Sequence, residues 1–296
     1  MSGPAISTEG LTKRFGALRA VADLGLVVEQ GEVFGYLGPN GAGKTTTIRL
    51  LLDFIRPTAG AARVLEGSGA DPRIRRRIGY LPAEWTIDPR YTAADLLDFY
   101  GRLRGGLDAR WAQTLLDRFE LDPSRPVGQL STGNRRKVGI VQAVAHRPDL
   151  LILDEPSSGL DPLLQHQFQL LVRELAAEGA AVFLSSHVLH EVEELAQRVA
   201  ILRRGRLVTV ASVAELRQQA RQRIDLRVAG SADVSVFADV PGVVDVTATD
   251  GVIHLIVEGP VDQVIKAAAR FEVTRIITHE TELDEVFLSY YQEDRP

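Results

Sequence analysis

The chain has 296 residues, 45% of them hydrophobic and 25% charged, with a formal net charge of −5. That length and composition suit about two globular domains with a real core, and the acidic balance gives no electrostatic footprint for nucleic acid. Cysteine is absent, which excludes disulfides and thiol catalysis and is compatible with the cytosol. No run of about 18 apolar residues occurs, and residues 1–10 lack a basic stretch followed by an apolar one, so neither a membrane span nor a secretion signal is expected. Any membrane work would be done through a partner.

Residues 5–28 read as strands flanking Phe15, and residues 32–37 as a short buried strand. Gly38-Pro39-Asn40-Gly41-Ala42-Gly43-Lys44-Thr45 follows, fitting the G-x-x-x-x-G-K-[ST] phosphate loop, in which glycines let backbone N–H groups turn onto phosphate oxygens. A helix is predicted over residues 46–54, opening on Thr46 and stopping at Arg56-Pro57, so the anion meets a helix N-terminus with its unpaired donors. Lys44 would reach the β- and γ-phosphates, and the Thr45 hydroxyl would ligate Mg²⁺. ATP and Mg²⁺ are therefore the expected nucleotide and ion.

From residue 85 to 129 the apolar residues fall at helical spacing, with Leu97, Phe99, Trp111, Leu115 and Phe119 among them; core packing accounts for most of these. In Leu130-Ser131-Thr132-Gly133-Asn134, Ser131 would cap a helix running through Val138, Val141 and Val144, and Gly133 leaves the backbone open to an anion. Residues 149–155, DLLILDE, read as a fully buried parallel strand ending in acids, at the edge where an open α/β sheet places its chemistry. Asp154 is the natural Mg²⁺ partner, and Glu155 could polarise an attacking water. Alone, Ser-x-Gly before a helix is usually only a cap; its place between the phosphate loop and the acidic strand end makes it a second polyphosphate-binding surface, whereas one chain folded around one nucleotide needs only the first. The second is meant for another molecule.

An apolar strand over 181–186 ends at His187, Arg203-Arg204-Gly205 reads as a hairpin turn, and residues 211–223 as a polar helix leading out of the domain. Beyond them, residues 224–228, 243–249 and 252–257 alternate like strands, with Asp250-Gly251 a hairpin turn. A short helical piece near 234–240, a helix at 261–271 and a strand at 273–278 complete a β-α-β-β-α-β order, which suggests a small ferredoxin-like module without a catalytic constellation. His146, His166, His254 and His279 show no ligand spacing.

The ordered motifs resemble those of the ATP-binding subunits of ABC transporters, whose signature, commonly LSGGQ, stands between the two nucleotide motifs. The resemblance covers about residues 5–215. It implies an α/β fold, a P-loop NTPase of the ABC type with a parallel-sheet core, an N-terminal antiparallel β subdomain and a helical insert at about 85–130 that touches the membrane subunit. Residues 1–215 would form the ATPase domain and 216–296 an accessory α+β domain.

By the same resemblance Phe15 stacks on adenine, and Ser158-Gly159-Leu160-Asp161 crosses to the partner subunit. His187 contacts the γ-phosphate, and Ser131, Thr132, Gly133 and Asn134 cover the nucleotide of a second copy or of a paralogous ATPase. Two departures stand out: Thr132 and Asn134 replace the usual Gly and Gln of the signature, and Ala83 stands where the family has Gln after Pro82. Glu84 is the nearest replacement as a metal-facing acceptor. Residues 279–288 are similar to the C-terminal helix of exporter ATPases with separate membrane chains. The implied function is ATP hydrolysis in a head-to-tail dimer at the cytoplasmic face of the membrane, driving export through an integral-membrane permease. Similar cassettes also serve nucleic acid and ribosomes, but with a long coiled coil or with paired cassettes that this sequence lacks, so no nucleic acid is expected as partner. A low-turnover regulatory ATP sensor is the third reading, made thinkable by the missing Gln.

Overall fold

Residues 3–219, 221–229 and 234–279 are described by a computed structural model, in which the chain divides into two compact units, Met1–Val210 and Ala211–Pro296. The order begins β1 (Ile6–Phe15), β2 (Leu18–Val28), β3 (Val33–Leu37), α1 (Lys44–Leu51), β4 (Ala59–Val64), α2 (Pro72–Arg75) and β5 (Ile78–Leu81). It continues α3 (Ala93–Arg104), α4 (Ala109–Arg118), α5 (Thr132–Val144), β6 (Leu150–Asp154), α6 (Pro162–Ala177), β7 (Ala181–Ser186), α7 (Leu189–Leu195), β8 (Arg198–Arg203) and β9 (Arg206–Ser212). The remainder is α8 (Val213–Gln219), β10 (Arg221–Val228), α9 (Ser235–Ala238), β11 (Val243–Thr249), β12 (Val252–Glu258), α10 (Asp262–Ala268) and β13 (Val273–His279).

In the first unit the strands form a six-stranded sheet, β5-β6-β7-β3-β8-β9, and a three-stranded antiparallel sheet, β2-β1-β4. Pairing is parallel from β5 through β8. Every residue of β3, β6 and β7 is buried, which is why their sequences are continuous apolar runs rather than alternating ones. Phe34 stacks on Phe183 at 6.2 Å, and Tyr36 tilts against the same ring at 4.9 Å. Tyr36 also hydrogen-bonds Thr47 at 3.0 Å, tying α1 to β3. Helix α7 lies so close to β3 that a Cβ on Gly35 would meet Val192 at 2.2 Å. Such a contact would force the buried Val192 side chain or its helix to shift, so glycine is favoured here.

Within residues 85–130, α3 starts with a Thr92/Asp95 capping box and α4 with Asp108 accepting from two backbone N–H groups. These caps satisfy donors that a helix start leaves orphaned. The Trp111 indole donates to Val144 O at 3.1 Å and pins α4 to α5.

Four predicted helices differ in extent. Helix α1 starts two residues before the predicted position, because left-handed Gly43 turns the chain straight into it, and it stops at Leu51, where Asp53 adopts φ 55°. The polar helix predicted over 211–223 is shorter, since β10 begins at Arg221 by pairing with Glu258. The pieces predicted over 234–240 and 261–271 are the shorter α9 and α10. At the end of β8, Arg204 and Gly205 both take positive φ (49° and 77°), as a two-residue hairpin requires.

In the second unit the element order is β-α-β-β-α-β and the sheet order β11-β12-β10-β13, with every neighbouring pair antiparallel. This is the split β-α-β arrangement of ferredoxin-like folds. Asp250 and Gly251 supply the left-handed turn between β11 and β12. Ile224, Leu226, Phe237, Leu255 and Val264 form its core. The exporter-like ending at 279–288 lies outside the described residues from 280 onward.

His146 gives the first unit a pH dependence. Its Nε2 meets Ile78 O at 3.2 Å, and burial, reinforced by the Arg104 charge, lowers its pKa to about 4. The folded ring stays neutral while the unfolded one gains a proton below about 6.5. Stability is therefore complete above that value and falls as the pH drops toward 4. Denaturant unfolding at pH 7 and 4.5 should show wild type losing about 2–3 kcal/mol more than His146→Gln, which keeps an N–H donor. Equal losses in the two proteins would remove His146 as the cause.

Candidate functional site

The loop after β3 is built by its glycines. Gly41 and Gly43 adopt φ 80° and 107°, and a Cβ on Gly43 would stand 2.4 Å from Ala20 O. Gly38 N donates to Ser186 O at 3.2 Å, and Gly205 N to Ala42 O at 2.9 Å, so the loop is fastened to the end of β7 and to the β8–β9 turn. Gly43 caps α1 without a side-chain acceptor, and no acid occupies the first turn. The helix start therefore presents unshielded N–H groups to the cleft.

That cleft encloses about 690 Å³, within the range of small-molecule sites. Its walls include Asn40, Gly41, Gly43, Lys44, Thr45, Thr46, Ala83 and Glu155, with Phe15 at its margin. Phe15 is 50% exposed rather than packed in the core, and the Lys13 ammonium lies 5.1 Å from its ring centre. An exposed ring at the edge of the cleft offers a flat face to a base. Pro39 and Asn40 are exposed at the loop's tip, while Gly38 and Ala42 are buried beneath it.

Lys44 is only 6% exposed. Its ammonium donates to Gly38 O at 2.6 Å and Pro39 O at 3.3 Å, and pairs with Glu155 Oε1 at 3.2 Å. The other Glu155 oxygen lies 2.7 Å from His187 Nδ1. Glu155 itself takes φ 49°, a left-handed backbone uncommon for a side chain of its size. Its N–H donates to Ser185 O at 3.1 Å, and its carbonyl accepts from Arg136 at 2.7 Å. Lysine, glutamate and histidine thus form one chain of charge-assisted contacts at the cleft.

Asp154 ends β6 with 1% exposure. Oδ1 accepts from the Ser185 hydroxyl at 2.6 Å, while Oδ2 is buried with no hydrogen-bond partner among the described residues. A buried, unsatisfied carboxylate oxygen is costly unless it has a cation to bind. With the Thr45 hydroxyl on the cleft wall, this donor set fits Mg²⁺, which takes one or two protein oxygens and completes its shell with water and phosphate. Among the described residues no group of three His, Cys, Asp or Glu could hold a metal unaided. The structure brings Ala83, not Glu84, to the cleft; Glu84 is exposed and does not line it.

The signature residues occupy a different surface. Ser131 caps α5, accepting from Asn134 N at 3.3 Å. Ser131 and Thr132 are exposed, and a Cβ on Gly133 would meet nothing within 4 Å. None of residues 131–134 lines the cleft. Asp161 caps α6 through Leu164 N at 2.9 Å, a structural duty that a reading of the loop alone does not reveal.

Three features escape the sequence. Ser185 bridges Asp154 and the Glu155 amide. Arg19 and Arg204 add positive charge to the cleft wall from β2 and the β8–β9 turn. Arg136, 7% exposed, is buried behind the acids. Only Arg136 had a signal: it precedes Ile140 and Ala143 at i+4 and i+7, on the apolar face of α5.

The family model described as ABC transporter matches residues 21–158. The Nod factor export ATP-binding protein I of Ralstonia nicotianae is 36% identical over 73% of this chain and 69% of its own length. The daunorubicin resistance ATP-binding protein DrrA3 of Streptomyces coeruleorubidus is 34% identical across the whole chain and 98% of its own length. A solved ATP-binding subunit of an ABC transporter superposes with a TM-score of 0.68 at 31% identity, covering 73% of this chain and 92% of that one. With the phosphate loop, the paired acids and the signature helix in place, the chain belongs to the ABC transporter family as an ATP-binding, ATP-hydrolysing protein.

Proposed function

We propose that this chain powers export through a separate integral-membrane permease, working as a head-to-tail pair at the cytoplasmic face of the membrane. ATP sits on Lys44, Thr45 and Thr46 with Phe15 against its base, and a second copy or a paralogue covers it with Ser131, Thr132, Gly133 and Asn134. Glu155 and His187 orient the attacking water, and Lys44 takes the charge that develops on the phosphates. Thr45 and Asp154 would hold Mg²⁺, which when bound neutralises phosphate charge. Asp161 fixes the loop that faces the partner. Closing and reopening the pair moves α3 and α4 against the permease and switches the direction it faces.

The observation that supports this reading most is the division of labour within one chain. A cleft with Lys44, Glu155 and His187 in contact carries no signature residue, while the signature helix has an exposed start and a glycine that no neighbour requires. Export is supported by the relatives, one named for export and one for drug resistance. Among the described residues no helix is long and apolar enough to cross a membrane, which suits a peripheral subunit.

Affinity purification from detergent-solubilised membranes should yield a multi-helix membrane protein whose presence stimulates ATP hydrolysis. Hydrolysis stimulated by nucleic acid or ribosomes, with no membrane partner retained, would replace export with the rival function.

A further inference from the structure

The Arg136 side chain enters the interior from the second turn of α5 and meets five backbone carbonyls. Nη1 donates to Pro82 O at 2.7 Å and Ala83 O at 3.1 Å. Nη2 donates to Glu155 O at 2.7 Å and Asp154 O at 3.4 Å, and Nε to Pro156 O at 3.2 Å. A guanidinium has five N–H donors in a rigid planar fork, and here each has its own acceptor. No carboxylate oxygen is among them, so the buried charge is balanced by carbonyl dipoles and, at longer range, by the Asp154 charge.

The acceptors come from two segments that follow neighbouring parallel strands, β5 and β6. Pro82 and Ala83 follow β5, and Ala83 lines the cleft. Asp154 ends β6, and Glu155, which lines the cleft, and Pro156 follow it. The fork itself rides on the helix whose start bears Ser131 and Gly133. One planar group therefore joins the signature helix to the backbone that carries the two acids and to the loop after β5.

We propose that Arg136 is a positioning residue for hydrolysis: its fork holds Glu155 in its left-handed backbone and transmits the placement of the signature helix to that carboxylate. Its effect passes through Glu155, so the proposal rests on the reading of Glu155 as the residue that orients water. Two features favour a specific over a generic role. Glu155 meets both Lys44 and His187 from a backbone at φ 49°, and such a conformation persists only when the surroundings over-determine it. Ala83 also lines the cleft with no polar side chain of its own, so its carbonyl, held by Arg136, is the group that ties this wall to the backbone of the acids.

Lysine keeps the charge but has three donors on a flexible stem and cannot reproduce a five-way fork. Arg136→Lys should therefore lower kcat at least about tenfold while KM for ATP stays within about twofold, because the phosphate loop is untouched. Arg136→Gln, shorter and neutral, should show the same split, and added guanidinium ion at millimolar concentration should restore part of its kcat. Whichever variant folds, judged by its thermal transition, decides the matter. Wild-type kcat in Arg136→Lys would overturn the fork, since charge alone would then suffice. Parallel loss of kcat and of ATP affinity would reduce Arg136 to general support of the fold. Measuring Glu155→Gln beside them separates the two ideas: full hydrolysis by Glu155→Gln with impaired Arg136 variants would sink the reading of Glu155, not the observation that the fork matters.

Discussion

Lys44→Ala should abolish specific ATP binding, with an affinity loss of at least about 100-fold, because the variant removes the one ammonium inside the phosphate loop. In the structure that ammonium is held by Gly38 O and Pro39 O and is paired with Glu155, so its position is fixed before any phosphate arrives. Little ordering entropy remains to be lost on binding. Alanine would also strand the Glu155 carboxylate, 16% exposed, beside the site where anionic oxygens must sit, adding repulsion to the lost attraction. Titration with a fluorescent ATP analogue measures the affinity directly. Thermal unfolding gives an independent reading: wild type should gain about 2.7 kcal/mol of stability at a nucleotide concentration of 100 times Kd, and the variant nothing. Tight ATP binding by Lys44→Ala would overturn the assignment of the loop.

Glu155→Gln should bind ATP and not turn it over, with hydrolysis down by about 100-fold or more, the scale expected for losing a general base or a water-orienting carboxylate. Glutamine preserves the shape, and its amide can still meet His187, but the charge facing Lys44 is gone. ATP affinity should therefore hold or rise. If ATP bridges the Lys44 cleft of one copy and the Ser131 surface of another, blocking hydrolysis leaves the bridge standing. Static light scattering with saturating ATP should then report a dimer for Glu155→Gln and a monomer without nucleotide. A variant that stays monomeric under saturating ATP would refute the shared site, and a variant with wild-type turnover would show that another group orients the water.

The contrast between the two variants follows from position. Lys44 and Glu155 touch each other at 3.2 Å, yet one belongs to the loop that receives the nucleotide and the other to the strand end that faces the reacting phosphate. Removing the first costs binding, and removing the second costs chemistry.

Much of this arrangement was legible because it depends on local pattern. The phosphate loop announces itself by glycines that must adopt left-handed backbone, and Gly41 and Gly43 do so. The buried strands β3, β6 and β7 read correctly as continuous apolar runs. Asp250-Gly251 marked its hairpin, and the alternation around it marked the strands of the second unit. Boundaries were less legible: α8 gives way to β10 at Arg221 because of pairing with β12, a partner more than thirty residues away that no local preference encodes.

The sequence alone determined which chemistry this chain can perform, since the order of phosphate loop, signature and acidic strand end is itself a chain-local property. Only the tertiary structure decided how those groups are held. It brought Glu155 between Lys44 and His187, left Asp154 Oδ2 without a partner among the described residues, placed Ala83 rather than Glu84 at the cleft, gave Asp161 a capping duty and sank Arg136 into five carbonyls. The physical reason is that motifs record residues close in the chain. The direction of a side chain, and the carbonyls that surround a buried charge, are set by segments distant in sequence that packing brings together.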